Sequence, residues 1–431
     1  MFSSLHRIAF CLITAALLVS PCQADLQDLM KAKGRKILFL GDSNTYAGLY
    51  IAYVEGYLRT RFPEEPWELI NLGLPSETVS GLSEQDHPYP RPDVHERVDR
   101  ALAKIKPNIV FICYGMNDGI YSPFSEERLK IYKERTELLV AKIEKAGAKV
   151  ILMTPSPFDA SPIAKNLLPK DAPKFSWMKP YEKYDAEVLR KYSDYLLEWR
   201  KKEYVVVDAH AAVNRFLKAM RVKEPKYTVS GDGIHPNPTG HAVIAFEILR
   251  ELKAPAEVDR VEIDFKSAKA TQGDVLKVLA KKDSLSFGWK TKLPMPGDPR
   301  WDKRSAEVEP YQDQFNRLIV KIVSLPKGTY EIVESTQIIG SATDEDLANG
   351  ISLTSFRDFS QNVQSNRLGK LIQDRQQIMG PAWLSDIGYK RPGTPKGLPL
   401  DEAMKRSAVQ TQEIRRLALP VTIEMMVRKK G

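Results

Sequence analysis

Ile37 to Leu40 form an unbroken apolar run that stops at Gly41-Asp42-Ser43-Asn44. A short apolar run bounded by turn residues predicts a strand buried on both faces of a parallel sheet. Beyond the turn the apolar positions fall at Tyr46, Leu49, Tyr50, Tyr53, Val54, Tyr57 and Leu58, the spacing of a helix with one face toward a core. The alternation recurs as far as Lys253. Further strands are predicted over 67–72, 108–114, 149–153 and 204–208. Between them come a helix with Val94, Val98, Leu102 and Ile105 on one face, a helix capped by Ser125 with Glu126 and Glu127 in its first turn, and a helix over about 181–202; a last begins near Pro238. Five such units predict an α/β fold: a parallel sheet with helices on both faces and ligands at the carboxyl ends of its strands.

From Val258 the period changes to two. A strand is expected over 258–265, a hairpin over 315–325 and 329–339 turning at Pro326-Lys327-Gly328, helices near 361–379 and 400–417, and a closing strand over 419–427. The chain thus divides into residues 30–253 and a smaller α+β accessory region, 257–431, in which no catalytic constellation stands out. Trp289, Trp301 and Trp383 are candidate glycan platforms there, set against the plainer reading that they are core anchors.

The first 24 residues differ from the body. Arg7 is followed by the apolar stretch Ile8 to Val19 and by Cys22-Gln23-Ala24, which reads as a secretory signal peptide and implies a secreted or periplasmic protein. An uncleaved membrane anchor is the competing reading; Pro21 beside Cys22 argues against a lipoprotein signal. The mature chain keeps Cys113 alone, which cannot form an internal disulfide and whose apolar strand context suggests a buried, inert thiol. The formal charge of +9 is spread along the chain. Mild attraction to anionic glycans is compatible with it, and nucleic acid is unsupported without a basic motif. No apolar run in the body has membrane-spanning length, so no stable membrane association is expected after signal cleavage.

Chemistry enters at the turns. Ser43 falls in a tight strand-to-helix turn, where a hydroxyl has open space and free amides around it; taken alone, the plainer reading as a helix N-cap would prevail. Three further groups follow at loops on the carboxyl side of the predicted sheet: Asn71-Leu72-Gly73-Leu74-Pro75-Ser76-Glu77-Thr78, Gly115-Met116-Asn117-Asp118-Gly119 and Asp232-Gly233-Ile234-His235-Pro236. Acyl transfer needs a hydroxyl nucleophile, an imidazole to take its proton, a carboxylate to hold that imidazole and donors for the oxyanion. Each residue type is present. The competing pair Asp208 and His210 looks like a helix cap with a surface histidine, and His87, His95 and His241 belong to no such group.

In order and spacing, these four blocks resemble the SGNH/GDSL hydrolase superfamily. The resemblance covers roughly residues 34–253. It implies a flavodoxin-like α/β/α sandwich and ester hydrolysis without metal or organic cofactor. Position by position it implies Ser43 as nucleophile, His235 as general base and Asp232 as the acid of the triad. The oxyanion donors would be the Asn117 side chain and the backbone amides of Ser43 and Ser76. Ser76 departs from the family, which usually has glycine there; a positive φ at this position would strain a serine by ~1 kcal/mol. The histidines and the one mature cysteine show no metal-ligand cluster. The expected substrate is an O-acyl, especially O-acetyl, ester on carbohydrate, with acetylated polysaccharide as the candidate partner. A lipid esterase or thioesterase is the alternative enzyme; it would need an apolar lid, for which only the Pro-rich segment 155–180 is available. A non-catalytic glycan-binding protein is the alternative from another class.

Overall fold

The computed structural model describes residues 35–430; the predicted signal peptide, 1–24, lies outside the described residues. Five strands, β1 (Lys36–Gly41), β2 (Glu68–Asn71), β3 (Ile109–Cys113), β4 (Lys149–Met153) and β5 (Val205–Val207), form one sheet in the order β2-β1-β3-β4-β5 with every neighbouring pair parallel. Because side chains alternate along a strand, Ile37 and Phe39 enter one core with helices Leu49–Arg61, Ala209–Lys223 and Pro238–Glu251. Leu38 and Leu40 enter the other, with helices Val98–Ile105, Glu126–Lys145 and Arg190–Glu198. This is the α/β/α sandwich expected from the sequence, with both sheet faces covered. β1 lies between β2 and β3, so Gly41 at its carboxyl end opens into the crevice where the strand order reverses.

The C-terminal region holds two more sheets. β6 (Glu257–Asp264), β7 (Lys269–Gln272), β10 (Arg317–Val323) and β13 (Ile351–Ser352) form one, in the order β13-β10-β6-β7. β8 (Val275–Lys281), β9 (Ser284–Thr291), β11 (Thr329–Glu334), β12 (Gln337–Thr343) and β14 (Val421–Lys429) form the other, in the order β12-β11-β14-β9-β8. They share a core that includes Val261, Phe287, Trp289, Val320, Ile332 and Val427. The hairpin expected across Pro326-Lys327-Gly328 is not formed. β10 pairs in parallel with β6 while β11 pairs with β12 and β14, because Ser324 at φ 66° and Gly328 at φ 157° steer the chain from one sheet into the other. The hairpin in this stretch is β11–β12, turning at Ser335. β7, β8 and β9 were not anticipated: lysines interrupt β7 and β8, whose residues are largely exposed.

The helix expected to end near Met379 runs on over Ser360–Ile387 with Pro381 inside it. It lies along the catalytic-sheet half: Leu368 and Ile372 pack with Ala52, and Trp383, Leu384 and Ile387 enter the core beneath β2. The helix therefore covers the sheet edge at β2, where an open strand would otherwise invite pairing with another chain. A buried ion network rivets the two regions. Glu55, wholly buried, receives Arg59 Nε at 2.6 Å and Arg375 Nη2 at 2.5 Å. Burial alone would raise its carboxyl, but Arg375 and Arg59 together hold it below the usual range. Trp289, Trp301 and Trp383 are all buried, so they are core anchors and not surface platforms.

Candidate active site

Ser43 begins the short helix Ser43–Ala47 directly after β1. Asp42, buried, caps that helix by accepting from Asn44 N at 3.0 Å. A Cβ on Gly41 would collide with Thr45 and with the Cys113 carbonyl, so glycine is what lets the serine helix and β3 both approach the end of β1 this closely. The half-buried Ser43 hydroxyl faces the loop that precedes helix Pro238–Glu251. There His235 Nε2 stands 2.8 Å from Ser43 Oγ, and His235 Nδ1 stands 2.6 Å from Asp232 Oδ2. The second carboxylate oxygen of Asp232 accepts the backbone amides of Ile234 at 2.9 Å and His235 at 2.8 Å, which fixes the carboxylate relative to the ring it holds.

The charges follow from this arrangement. Burial would raise the Asp232 carboxyl, but the hydrogen bonds from the His235 ring and from two amides drive it far below its ordinary value. Burial would lower His235, yet the Asp232 hydrogen bond and charge, with Asp42 behind, raise it above an ordinary histidine. The loop is also tied to the serine turn itself, since Asn44 Nδ2 donates to Ser156 Oγ at 2.7 Å and reaches the Ile234 carbonyl at 3.4 Å. Gly233, at φ 79°, sits against the Asp159 carbonyl where a Cβ would not fit.

The remaining wall comes from the loops after β2 and β3. Asn117 Nδ2 donates to the Glu77 carbonyl at 3.2 Å and Asn117 Oδ1 accepts the Tyr121 hydroxyl at 2.9 Å. These two bonds fix which end of the amide carries the oxygen and which the NH2, and Asn117 lines the cavity beside Ser43. Glu77, fully buried, is held by Arg97 Nε at 2.6 Å and by the Tyr114 hydroxyl at 2.6 Å. Asp118 accepts the amides of Val79 and Ser80. Asn71 accepts Gly73 N at 2.8 Å and donates to the Thr45 carbonyl at 2.8 Å, clamping this loop to the serine helix. Ser76 adopts φ 67°, the left-handed conformation in which glycine is unstrained. Ser43, Ser76, Asn117 and His235 line one cavity of about 170 Å³.

Other side chains reach this cavity without any signal in the four sequence blocks: Arg91, Tyr121, Trp177 and, from the C-terminal region, Arg391. Trp177 comes from the Pro-rich segment 155–180, whose only helical turn is the 3-10 stretch Ser161–Asn166; it forms no apolar lid helix. His210 proves buried and not superficial, with Nε2 3.0 Å from Asp185, although Asp208 does cap its helix. His241 is buried against Tyr50, and burial pushes it down to about 3. Cys113 is buried and its thiol is raised by that burial. Among the described residues no group of three or more His, Cys, Asp or Glu side chains could hold a metal ion, and no helix is long and apolar enough to cross a membrane.

Comparison with known proteins agrees with this architecture. Residues 39–243 match the model of the GDSL-like Lipase/Acylhydrolase family. An acetylxylan esterase of Geobacillus stearothermophilus is 25% identical over 240 residues, which span 51% of this chain and 94% of that protein. A crystal structure of that esterase superposes over 52% of this chain and 96% of its own, with 26% identity and a TM-score of 0.37. A gut microbial diltiazem-metabolizing enzyme shares the fold over 93% of this chain and 98% of its own, with a TM-score of 0.71 at 20% identity, so the combination of parallel sheet and C-terminal sheets occurs elsewhere as a unit. The chain carries a GDSL-like lipase/acylhydrolase domain of the SGNH superfamily and is a carboxylic ester hydrolase.

Proposed function

We propose that the protein is a secreted or periplasmic serine esterase that removes short acyl groups, acetyl above all, from carbohydrate. The observation that carries the mechanism is the line of hydrogen bonds from Ser43 Oγ through His235 to Asp232. His235 Nε2 takes the hydroxyl proton as Ser43 Oγ attacks the ester carbonyl, and Asp232 stabilises the imidazolium that results. The oxyanion is held by the Asn117 amide and by the backbone N–H groups of Ser43 and Ser76. The imidazolium returns its proton to the leaving alcohol, and water activated by the same ring releases the acid.

The acyl preference is supported by size: the cavity of about 170 Å³ at Ser43 accommodates an acetyl-sized group. The carbohydrate is supported by the acetylxylan esterase relative at 25% identity, and the location by the leader-like residues 1–24. The test compares p-nitrophenyl acetate with the octanoate ester and follows acetate release from acetylated xylan, in wild type and Ser43→Ala. Acetate should be preferred, polysaccharide should release acetate, and Ser43→Ala should lose ~10⁴-fold or more in kcat. Turnover by Ser43→Ala at the wild-type rate, or failure of folded wild type to react with a fluorophosphonate, sinks the serine mechanism.

A further inference from the structure

Arg391 lies in the loop after the long helix Ser360–Ile387, more than 300 residues from Ser43 along the chain, yet it lines the same cavity as Ser43 and His235. Its guanidinium lies over the Tyr89 ring at 5.5 Å, donates from Nη1 to Thr394 Oγ1 at 2.9 Å, and brings Nη2 to 3.5 Å from Ser76 Oγ. Nε is closed off from solvent and meets no acceptor. Among the described residues no carboxylate pairs with it.

The neighbouring cations are in a different condition. Arg91, in the same cavity, is saturated: Nη2 meets Glu84 at 2.6 Å and Nη1 meets the Ser76 carbonyl at 3.2 Å. Lys390 pairs with Glu96 at 3.1 Å. The cavity lining contains no aspartate or glutamate, since Asp232 is turned to the far side of His235. The charge of Arg391 is therefore left uncompensated a few ångströms from the proposed oxyanion loop. A guanidinium stripped of water on one edge and given no protein anion is a poor arrangement for stability. It is a good one for a ligand that brings the anion with it, because the planar fork matches a carboxylate in two parallel hydrogen bonds.

Arg391 also stands at a junction. A second chamber, of about 920 Å³, shares Arg91 and Arg391 with the cavity at Ser43 and is flanked by Tyr89 and Tyr389. An ester seated at Ser43 would thus have its acyl-bearing ring beside Arg391, with room beyond, between two tyrosines, for more of the same chain.

We infer that Arg391 is a substrate-binding residue lent to the active site by the C-terminal region, and that it pairs with a carboxylate on the acylated substrate, as an O-acetylated uronic acid or an oligosaccharide containing one would present. The inference rests on the esterase reading and adds the charge of the substrate to it.

The experiment uses the full chain and three acetylated methyl glycosides: a glucuronoside as the free acid, the same compound as its methyl ester, and the corresponding neutral glucoside. Wild type should favour the free acid over both neutral compounds by ~10-fold or more in kcat/KM, chiefly through KM, and added salt should erode the preference. In Arg391→Gln the ratio of acid to neutral should collapse to within ~3-fold. In Arg391→Glu it should invert, an outcome that a loop-holding role for Arg391 would not produce. Equal wild-type rates on acid and neutral compounds, or an undiminished ratio in Arg391→Gln, overturn the inference. Wild-type hydrolysis of p-nitrophenyl acetate, read separately, reports whether the esterase reading itself stands.

Discussion

The two regions of this molecule handle polar groups in opposite ways. Around the parallel sheet the polar side chains near the cavity are tied to groups of that same half, some within one loop, as Asp232 to the amides of Ile234 and His235 and Asn71 to Gly73, and some between neighbouring loops, as Asp118 to Val79 and Ser80. The C-terminal region contributes its polar groups across long sequence distances instead. Arg375 reaches Glu55 and Arg391 reaches the Ser76 loop. Ties within the sheet half set the geometry of the reacting atoms, while those from the C-terminal region decide how the two regions sit together and what surrounds the reaction. If that contrast is right, disturbing the first should cost chemistry, and disturbing the second should cost stability or selectivity.

The largest effect should come from the ties within the sheet half. Asp232→Asn keeps the shape of the loop but leaves the His235 ring without the charge that raises it. Turnover should fall by ~10⁴. The sign on pH is also fixed: the base works when neutral, so wild-type activity should rise as pH climbs through a His235 value above that of an ordinary histidine, and in Asp232→Asn that rise should move to lower pH. A pH profile of kcat/KM for both proteins checks it, and an unmoved profile would break the link between the carboxylate and the ring.

Glu55→Ala tests the opposite arm. It leaves Arg59 and Arg375 buried without their shared carboxylate, and should lower stability by about 3–5 kcal/mol in chemical denaturation while kcat of the folded protein changes little. A loss below ~1 kcal/mol would show that the apolar contacts of Leu368, Ile372 and Trp383 suffice to dock the long helix. Next in size, Asn117→Ala removes one oxyanion donor and should cost ~10²-fold in kcat, about 3 kcal/mol, with KM nearly constant.

The smallest effect should be at Ser76, where the regions meet. Ser76→Gly relaxes a φ of 67° and loses only the distant contact with Arg391, so stability should shift by no more than ~1 kcal/mol. Turnover should stay within a few-fold, since the proposed donor there is the backbone amide. A tenfold drop would mean the hydroxyl, and through it the C-terminal region, takes part in the chemistry.

Much of the catalytic-sheet half was readable from the chain. β1 to β5 fall where apolar runs meet turn residues; Ser43 opens the helix after β1, Asn117 lies in the loop after β3 and His235 in the loop before helix Pro238–Glu251, where their blocks placed them. Parallel strands buried on both faces write long apolar runs, and the loops between them hold their motifs within a few residues. The C-terminal sheets were harder to read. β10 and β11 adjoin in sequence and read as a hairpin, yet they pair with β6 and with β12 and β14; alternation marks a strand but does not say which neighbour it will take. His210 was misplaced on the surface for a related reason: a polar residue near a helix start looks solvated until the distant Asp185 that meets it is known.

By itself, then, the amino-acid order determined the strand–helix alternation, the serine turn and the identities of the groups that meet there, because these depend on residues close together along the backbone. Only the tertiary structure decided that Ser76 takes a left-handed conformation, that Trp289, Trp301 and Trp383 are interior, that the long helix seals the edge at β2, and that Arg391 arrives at the cavity with its charge unpaired. The physical reason is the same in each case: burial and charge pairing are set by whichever atoms the completed fold brings alongside, and no local pattern encodes a neighbour hundreds of residues away.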